Sequence, residues 1–490
     1  MSKYGHALAR SNFKDVRNDL FIRGEWRPST SGMRVDVYDP STEDVITSVA
    51  NATVEDGTAA IDAAAGAAKI WAGTAPRRRA DILMRAHQIM TERSEWLAEL
   101  ISRENGKALP DARGEVTYAA EFFRWYAEEG VRLNGEISTS PSGNNRIIVQ
   151  YQPVGIALLI TPWNFPAAMA TRKIGPALAA GCTCILKPAT ETPLTAYAIA
   201  EILTEAGVPA GVVNVITTNK SGPVISAMLH DPRVRKLSFT GSTEVGRILL
   251  REAADQIISC SMELGGNAPF LVFDDADIDA AIDGAMIAKM RNGGEACTAA
   301  NRFYVQRGVL EAFSAKLAER MKAIKVGVGY DPSTRLGPLI NASSRNKVAS
   351  LVDNAVARGA RIVTGGTASG GKGFFYDATV LVDVPAGADI LNEEIFGPVA
   401  PIVAFDNEED GVALANQTEY GLVAYIYTKD LARGLRVSEQ IESGMIALNR
   451  GLVSDAAAPF GGVKQSGLGR EGGHHGLLEF TEAKYIATAW

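Results

Sequence analysis

The stretch VGIALLITPWNFPAAMATRKIGPALAAGCTCILK, residues 154–187, decides the fold because it has the character of a strand, a helix and a second strand in succession. Residues 156–161 form an apolar run of strand length, residues 168–180 are rich in alanine, and residues 182–187 form a second apolar run. Two buried strands joined by a helix indicate a parallel βαβ unit. The sequence therefore predicts an α/β protein.

The alternation of strands and helices continues beyond this unit. A second segment of the same character begins near residue 269 and runs to about residue 450. The predicted helices of the two segments lie at residues 193–206, 246–254 and 309–323, and the predicted strands lie at 212–216, 236–240, 362–363 and 400–405. The chain has 490 residues, and this length suggests roughly three lobes. Parallel sheets with helices on their faces are expected.

Several segments lie outside that alternation. Residues 20–26 are predicted to form a short hairpin, and residues 53–105 have a helical pattern. Residues 145–151 are β-branched and follow the turn at 142–144, which predicts a projecting hairpin. The tail, residues 479–490, is also predicted to be a strand, paired either with that hairpin or with another subunit.

The composition excludes several classes of partner. The net charge is −7 and no basic block is longer than Arg77–Arg79, which argues against nucleic-acid binding. The apolar runs Ile156–Ile160 and Phe270–Phe273 are far too short to span a membrane, and the first thirty residues contain no apolar core of a signal peptide. Four cysteines are too few for a disulfide framework and are typical of a reducing compartment. A cytoplasmic protein is expected.

Cys297 and Glu263 are the candidate nucleophile and base. Cys297 ends the run Asn292-Gly293-Gly294-Glu295-Ala296-Cys297, and Glu263 precedes Leu264-Gly265-Gly266-Asn267. A thiolate is a strong nucleophile, and a carboxylate can take a proton from water or from the thiol. The glycines allow the backbone to approach a ligand closely. The alternative for each residue taken alone is a buried structural cysteine and a surface glutamate.

Asn164 is a candidate donor to a developing oxyanion. It lies in Thr161-Pro162-Trp163-Asn164-Phe165-Pro166, directly after an apolar strand, where two prolines make the turn rigid. The alternative is an Asx-turn, in which the side chain bonds its own backbone. This segment alone leaves both interpretations open.

Three further segments are candidates for binding a nucleotide. Lys187 follows a strand, and ligands of parallel sheets bind beyond the carboxyl ends of the strands. Gly241 and Ser242 lie in a strand-to-helix turn that could bind phosphate, although it is not the G-x-G-x-x-G signature. Glu394 could accept from ribose hydroxyls, and Phe396 could pack on a flat ring. The alternatives are an exposed loop lysine, an ordinary turn and a solvated acidic loop.

Two other chemistries are not supported. Cys182 and Cys184 alternate along an apolar strand, and the pair His474-His475 has no second cluster of ligands, so no metal is expected. A serine hydrolase is not expected either, because the chain has no G-x-S-x-G elbow.

Together these motifs resemble the aldehyde dehydrogenase superfamily over nearly the whole chain. They occur in the family's order: Thr161–Pro166, Lys187-Pro188, Gly241–Thr243, Glu263–Gly266, Cys297, Glu394–Pro398 and Pro459–Gly462. The resemblance implies a Rossmann-like cofactor domain at 1–130 and 154–260, an α/β catalytic domain at 261–460, and a β-flap at 131–153 and 470–490. The flap implies a homodimer or homotetramer.

The resemblance also implies roles for single residues. Cys297 is expected to attack the aldehyde carbonyl, while Asn164 and the backbone N–H of Cys297 hold the oxyanion. Glu263 is expected to activate the water that hydrolyses the resulting thioester. The cofactor is expected to be held by Trp163, Lys187, Ser242 with its neighbour Gly241, Glu394 and Phe396.

Within the superfamily the chain is most similar to succinate-semialdehyde dehydrogenases. Arg172 and Arg291 match the pocket arginines of that subfamily, and Ser454 could add a hydroxyl. A substrate with a carboxylate at its far end needs guanidinium donors opposite the nucleophile. The alternative for each arginine is a structural ion pair or a solvated helix residue. The expected reaction is NAD(P)-dependent oxidation of succinate semialdehyde to succinate.

Three positions depart from the family pattern. Thr190 stands where many NAD-preferring members carry glutamate, so NADP is the expected cofactor, with its 2′-phosphate paired to Lys187, and NAD is expected to be accepted as well. Glu295 replaces a commoner glutamine and is expected to point away from the thiol, whose ionisation it would otherwise oppose. Ala299 stands where some relatives carry a second cysteine, so no disulfide switch is expected.

Two other functions are kept as alternatives. Within the same mechanism, the substrate could be another ω-carboxy aldehyde such as glutarate semialdehyde. In a different class, the chain could be a thiol esterase or acyltransferase, which would leave Lys187, the Gly241 turn and Glu394 without a role. A non-catalytic relative would lack the nucleophile or the base, and both are present.

Overall fold

The computed structural model describes Phe13 and residues 16–489; residues 1–12, 14–15 and 490 of the predicted domains lie outside this part of the chain. Its helices are α1 (Val54–Ala72), α2 (Pro76–Glu92), α3 (Ser94–Asn105), α4 (Leu109–Glu129), α5 (Pro166–Ala180), α6 (Pro193–Ala206), α7 (Ser221–Leu229), α8 (Thr243–Ala254), α9 (Ile278–Met290), α10 (Leu310–Lys322), α11 (Ala342–Ala357), α12 (Glu408–Asn416), α13 (Leu431–Gln440) and α14 (Gly473–Leu478). Its strands are β1 (Leu20–Ile22), β2 (Glu25–Arg27), β3 (Arg34–Tyr38), β4 (Val45–Ala50), β5 (Glu136–Thr139), β6 (Arg146–Pro153), β7 (Ile156–Ile160), β8 (Thr183–Lys187), β9 (Val213–Val215), β10 (Val234–Thr240), β11 (Ser259–Glu263), β12 (Ala268–Val272), β13 (Ala300–Gln306), β14 (Arg361–Thr364), β15 (Thr379–Val382), β16 (Val399–Phe405), β17 (Tyr420–Gly421), β18 (Val423–Tyr427), β19 (Met445–Leu448), β20 (Val463–Lys464), β21 (Gly467–Leu468) and β22 (Thr481–Thr488).

The first large sheet contains the stretch that was expected to decide the fold. Its strand order is β2-β1-β9-β8-β7-β10-β11-β21, with the strands from β9 to β11 parallel and antiparallel strands at both edges. β7 and β8 pair in parallel along their whole length and are buried at every position, with α5 as the connecting helix. Burial on both faces explains why these strands are continuously apolar. The predicted βαβ unit and the α/β class are confirmed.

The second large sheet has the order β14-β15-β16-β13-β12-β18-β19, in which only β14 is antiparallel to its neighbour. Its core combines aliphatic side chains with an aromatic cluster around Phe270, whose ring stacks on those of Tyr425 and Tyr427 at centroid distances of 5.6 and 5.0 Å. This sheet matches the alternating segment predicted from residue 269 to about residue 450.

The tail strand pairs with the projecting hairpin of the same chain. β22 lies antiparallel to β6 from Thr481 opposite Pro153 to Thr488 opposite Arg146, and β5 completes a three-stranded sheet. Of the two pairings considered for the tail, the structure shows the one within the chain. Ile137 and Tyr485 are 68% and 59% exposed on this sheet. A role of the sheet in oligomerisation stays a prediction.

The structure differs from the predicted elements near the first domain boundary. β11 was not predicted, because Ser259-Cys260-Ser261-Met262-Glu263 is too polar to be recognised as a buried strand. It extends the first sheet to Glu263, so the predicted boundary after residue 260 falls inside a strand. α8 begins three residues earlier than predicted, because the Ser242 side chain accepts from the Val245 N–H and caps the helix.

The carboxyl ends of the parallel strands bring the predicted site residues to one edge of the first sheet. β7, β8, β10 and β11 are neighbours, and they end next to Asn164, Lys187, Gly241 and Glu263. The N–H of Thr161 donates to the carbonyl of Lys187 at 3.2 Å, which joins two of these loops directly. Ligands of open α/β sheets bind beyond these strand ends.

A buried ion pair holds the loop that carries Asn164. Lys107 Nζ donates to Glu115 Oε2 and, at 2.7 Å, to the carbonyl of Asn164. Glu115 Oε1 accepts from the N–H groups of Ala167 and Ala168 in the first turn of α5, at 2.8 and 3.3 Å. One carboxylate therefore neutralises a buried ammonium and satisfies a helix amino terminus.

We expect Glu115→Gln to destabilise the protein strongly, because it leaves Lys107 buried without a counter-charge. Breaking a buried pair typically costs about 3–5 kcal/mol. The measurement is the urea midpoint of unfolding, followed by tryptophan fluorescence. The matched control is Glu95→Gln, which removes the carboxylate of a pair with Arg113 whose side chains are 56% and 46% exposed. That control is expected to cost less than about 1 kcal/mol, and equal shifts of the two midpoints would contradict the prediction.

Candidate active site

The loop that carries Cys297 is packed against two other loops through glycines. It follows α9 and reaches Cys297 through Asn292, Gly293 and Gly294, all with positive φ. A Cβ on Gly294 would lie 2.3 Å from the carbonyl oxygen of Gly397, and one on Gly266 would lie 2.5 Å from that of Cys297. Only glycine allows approaches this close. The Gly-rich motifs are therefore required by backbone contact around the thiol.

The Cys297 thiol lies among several charged groups. Its pKa is raised to about 12, mainly by burial and also by the carboxyl groups of Glu394 and Glu263, while Arg172 and Arg291 act in the opposite direction. The residue itself is partly exposed. The structure thus gathers around one thiol the predicted base, one predicted cofactor residue and both predicted pocket arginines.

Glu263 is a buried carboxyl group with free hydrogen-bonding capacity. It ends β11, is 2% exposed, and its Oε2 has no hydrogen-bond partner among the described residues. Burial raises its pKa well above the ordinary value, and Glu471 adds to the effect. A carboxyl group whose pKa is raised in this way is a stronger base than an ordinary glutamate and is suited to exchanging a proton with water.

Asn164 contacts the nucleophile loop and does not form an Asx-turn. Its Nδ2 donates to the carbonyl of Glu295 at 3.0 Å, and its own carbonyl accepts from Asn292 Nδ2 at 2.9 Å. The side chain is 3% exposed and its Oδ1 has no partner among the described residues. The amide therefore lies beside the Cys297 loop, where an oxyanion donor is needed.

Glu295 has the orientation expected from the sequence. Its carboxyl group accepts from the N–H of Ile340 at 3.1 Å, and burial raises its pKa to about 8. Its backbone carbonyl, in contrast, faces Asn164 and Asn292. The side chain is thus engaged away from the thiol.

A cleft of about 460 Å³ lies beyond the strand ends of the first sheet. Lys187, Thr190, Gly241 and Ser242 line it, as expected for the cofactor residues. Lys187 is 8% exposed, and burial lowers its pKa. The sequence interpretation missed the apolar wall of this cleft, which consists of Ile225 from α7 and Val245, Ile248 and Leu249 from α8. The spacing of the last three along a polar helix was the available signal.

The remaining cofactor candidates lie against the Cys297 loop. The rings of Trp163 and Phe396 meet edge to face at a centroid distance of 5.4 Å. Glu394 Oε1 accepts from the N–H of Gly266 at 3.1 Å, and burial raises the pKa of Glu394 to about 7. One group of cofactor candidates therefore lines the cleft at the strand ends, and the other lies near the Cys297 thiol.

The three substrate candidates have different surroundings. Arg291 donates to Ser454 Oγ at 3.4 Å, and its guanidinium lies 4.9 Å from the centre of the Phe165 ring. Arg172 is 1% exposed and forms an ion pair with Glu471 at 2.6 Å. Burial lowers the pKa of Arg172, but Glu471, Tyr118, Glu263 and Cys297 together outweigh burial and hold the pKa above the ordinary value. The structure brings Arg291 and Ser454 together and places Arg172 in a structural ion pair.

Residues from two distant segments complete this region and were missed. Glu471 also pairs with Lys173, next to Arg172 on α5. Burial raises the pKa of Tyr118, on α4, and the charges of Arg172 and Arg291 oppose that rise. No local pattern marks either residue, because their partners are far away in the sequence.

Two further observations concern alternatives raised by the sequence. Cys182 and Cys184 are fully buried in the first sheet, and across the described part of the chain no three His, Cys, Asp or Glu residues are grouped so that they could hold a metal ion. Among the helices of the described residues, none has the length and apolar character needed to cross a membrane.

Comparison with known proteins identifies the family. The model of the aldehyde dehydrogenase family matches residues 26–486. The chain belongs to this family. The resemblance inferred from the motifs is thereby confirmed, and so is the fold that it implied.

Three curated aldehyde dehydrogenases illustrate its position in the family. It is 56% identical to the succinate-semialdehyde dehydrogenase of Paenarthrobacter nicotinovorans, over 91% of this chain and 99% of that protein. It is 48% identical to the succinate-semialdehyde dehydrogenase [NADP(+)] of Escherichia coli K12, over 96% and 97% of the two chains. It is also 46% identical to the glutarate-semialdehyde dehydrogenase of Pseudomonas putida KT2440, again over 96% and 97%.

Solved structures show the same fold. An Escherichia coli NADP-dependent enzyme superposes with a TM-score of 0.96 at 47% identity, covering 97% of this chain and 98% of that one. The betaine aldehyde dehydrogenase of Staphylococcus aureus in complex with NAD+ superposes with a TM-score of 0.94 at 34% identity, covering 97% and 96%.

We expect the alkylation of Cys297 in this aldehyde dehydrogenase, without cofactor, to accelerate about tenfold per pH unit from pH 7 to 10. The raised pKa keeps the group in the thiol form at neutral pH, so the reactive thiolate increases over this whole range. The rate of inactivation by iodoacetamide would be measured in a Cys260→Ser background, because Cys260 is the other partly exposed thiol. A rate that levels off between about pH 9 and 10, as expected for an ordinary cysteine with a pKa of about 8.5, would contradict the raised pKa.

Proposed function

We propose that this chain oxidises succinate semialdehyde to succinate with NADP, and accepts NAD as well. The observation that carries the proposal is the pairing of Arg291 with Ser454 beside the Cys297 site, because it offers donors for a carboxylate at the far end of the substrate. The names of the relatives support the same substrate and cofactor.

The first step is attack of the Cys297 sulfur on the aldehyde carbon, with the thiol proton passing to the Glu263 carboxylate, which releases it to solvent before the hydrolysis step. The carbonyl π electrons move to oxygen, and the resulting oxyanion is held by Asn164 Nδ2 and the N–H of Cys297. Asn164 is fixed for this role by Lys107 and Asn292, which hold its carbonyl. Removing one such donor typically costs about 10²–10³ in rate.

The cleft fits a dinucleotide. Gly241 leaves no room for a Cβ, which would lie 2.4 Å from the Phe239 ring, and the amino terminus of α8 opens into the same space as Lys187. When bound there, the nicotinamide would supply the hydride acceptor for the substrate carbon, and Cys297 would be left carrying the acyl group as a thioester. We assign Lys187 and Thr190 to the adenosine side, and Trp163, Glu394 and Phe396 to the nicotinamide side.

Thr190 supports the preference for NADP. It lines the cleft with Lys187 and Glu191, whose carboxylate acts on Lys187. At position 190 itself there is no carboxylate, so an ammonium and a hydroxyl are offered to the ribose that would carry the 2′-phosphate. Both groups can also bind an unphosphorylated ribose, which accounts for the acceptance of NAD.

Glu263 completes the reaction by taking a proton from the water that attacks the thioester carbon. Its unpartnered Oε2 is available to this water, and the C–S bond breaks to return the Cys297 thiolate. The close approach of Gly461, where a Cβ would lie 2.8 Å from Glu263 Oε1, confines the carboxyl group on its other side.

Glutarate semialdehyde is the second candidate substrate, because a relative of 46% identity carries that name. It has the same two functional groups separated by one more methylene. One methylene typically changes kcat/KM by about 10–200-fold. The ratio of kcat/KM for the two semialdehydes with NADP decides between them; the thiol esterase alternative would show ester cleavage without any NADPH formation.

We also propose an assembly, a role for each large sheet and a cellular location. The exposed Ile137 and Tyr485 on the three-stranded sheet support its use as an oligomerisation flap in a homodimer or homotetramer. The first sheet serves as the cofactor domain and the second as the catalytic domain. All four cysteines are free, which supports a cytoplasmic location.

We expect Cys297→Ala to abolish both aldehyde oxidation and ester hydrolysis, because both require the sulfur nucleophile. NADP binding, measured by calorimetry, is expected to change less than about threefold, since the side chain is not needed to hold the dinucleotide. Retained turnover of either substrate would contradict the mechanism.

We expect Arg291→Met to raise KM for succinate semialdehyde by about 10–100-fold, because a charged hydrogen bond to the distal carboxylate is worth about 1.5–3 kcal/mol. The comparison substrate is butanal, which lacks that carboxylate and should lose less than about threefold. Equal losses for both aldehydes would contradict the acid pocket. Arg172→Met is a poorer test, because it also breaks the ion pair with Glu471.

A further inference from the structure

A buried lysine joins the Cys297 loop to the loop that carries Glu394. Lys289 lies in the last turn of α9 and is 0% exposed. Its Nζ donates to the carbonyl of Gly397 at 3.3 Å. A Cβ on Gly294 would lie 2.3 Å from the oxygen of this same carbonyl. Lys289 therefore binds the Glu394 loop at the point where it packs against the Cys297 loop.

The charge of Lys289 acts on Glu394. An ammonium buried against a neutral carbonyl is costly unless a carboxylate compensates it. Burial lowers the pKa of Lys289 to about 7 and Glu394 opposes this shift. Burial likewise raises the pKa of Glu394 to about 7, and it is opposed by the Gly266 N–H and by the ammonium groups of Lys347 and Lys289.

Lys347 and Lys289 approach Glu394 from sides that differ in exposure to solvent. Lys347 Nζ reaches the Glu394 backbone carbonyl at 2.8 Å from α11, on the exposed side of the loop. Lys289 approaches from the interior, where charge is least screened by solvent. No other step of the proposed mechanism uses this buried ammonium.

We propose that Lys289 is a positioning residue for the nicotinamide half of the cofactor: it fixes the Glu394–Gly397 loop against the Cys297 loop and supplies the interior positive charge that faces Glu394. The inference rests on the proposed function, in which Glu394 accepts from ribose hydroxyls. Loss of this charge favours the neutral carboxyl group, which is the weaker acceptor. The nicotinamide is then held less firmly beside the thiol.

The test is Lys289→Met, which keeps the length of the side chain and removes the ammonium. With saturating succinate semialdehyde we expect KM for NADP to rise and kcat to fall, each by about tenfold or more, because hydride transfer depends on close placement. Hydrolysis of 4-nitrophenyl acetate without cofactor is expected to stay within about twofold, since it needs only Cys297, Asn164 and Glu263. A parallel loss of both activities would show a general structural role and overturn the proposal, as would unchanged kinetics.

A double-mutant cycle with Glu394→Gln tests whether Lys289 acts through that carboxyl group. In the Glu394→Gln background, Lys289→Met is expected to have a smaller effect than in the wild type, because the charge interaction is already lost and only the hydrogen bond to Gly397 remains to be removed. Full additivity of the two effects would overturn the proposal. If Lys289→Met does not fold, Lys289→Gln, which keeps a donor for Gly397 without the charge, is measured in the same cycle.

Two controls separate the possible failures. Lys322→Met makes the same change at an exposed position of α10 and is expected to match the wild type. Wild-type NADPH formation from succinate semialdehyde is measured first. Its absence contradicts the proposed function, whereas an active wild type with an unaffected Lys289→Met contradicts only this inference.

Discussion

The contact between Gly266 and the carbonyl oxygen of Cys297 is the constraint on which the active site depends. Gly266 lies in the short turn between β11, which ends the parallel part of the first sheet, and β12, which begins in the second. A side chain there would meet the Cys297 backbone at 2.5 Å. The nucleophile loop is thus packed on the crossing between the two sheets, and Glu263, three residues before Gly266, is brought to the same place.

Buried charges around that crossing are held by partners. The pairs are Lys107 with Glu115, Arg172 and Lys173 with Glu471, and Lys289 facing Glu394. Charges taken out of water are tolerated only when each has a compensating partner, and such pairs fix geometry more than they add stability. Among the described residues, Glu263 Oε2 has no hydrogen-bond partner. The residue assigned to handle a water molecule therefore keeps hydrogen-bonding capacity for it.

The sequence could predict what is encoded locally. A few consecutive residues are enough to recognise the apolar runs of β7 and β8, the alanine-rich α5 and the glycines around Cys297. The order of the motifs along the chain was enough to indicate the family. β11 could not be predicted, because its buried Ser261 is bonded to Glu479, a partner more than two hundred residues away in the sequence. Glu471 was missed for the same reason: its partners on α5 lie about three hundred residues earlier.

Arg172 shows how the two interpretations offered by the sequence can both apply. Its ion pair with Glu471 and the contact of its Nη2 with Met169 Sδ at 3.0 Å make it a structural residue. Its charge nevertheless acts on the Cys297 thiol, and a buried positive charge favours both a thiolate and an incoming carboxylate. Arg291 is less buried, packs on the Phe165 ring and makes a long hydrogen bond to Ser454, so it keeps donors available to a ligand. In the proposed site, therefore, the fixed guanidinium supplies the electrostatic field, and the freer one makes the direct contact with the substrate.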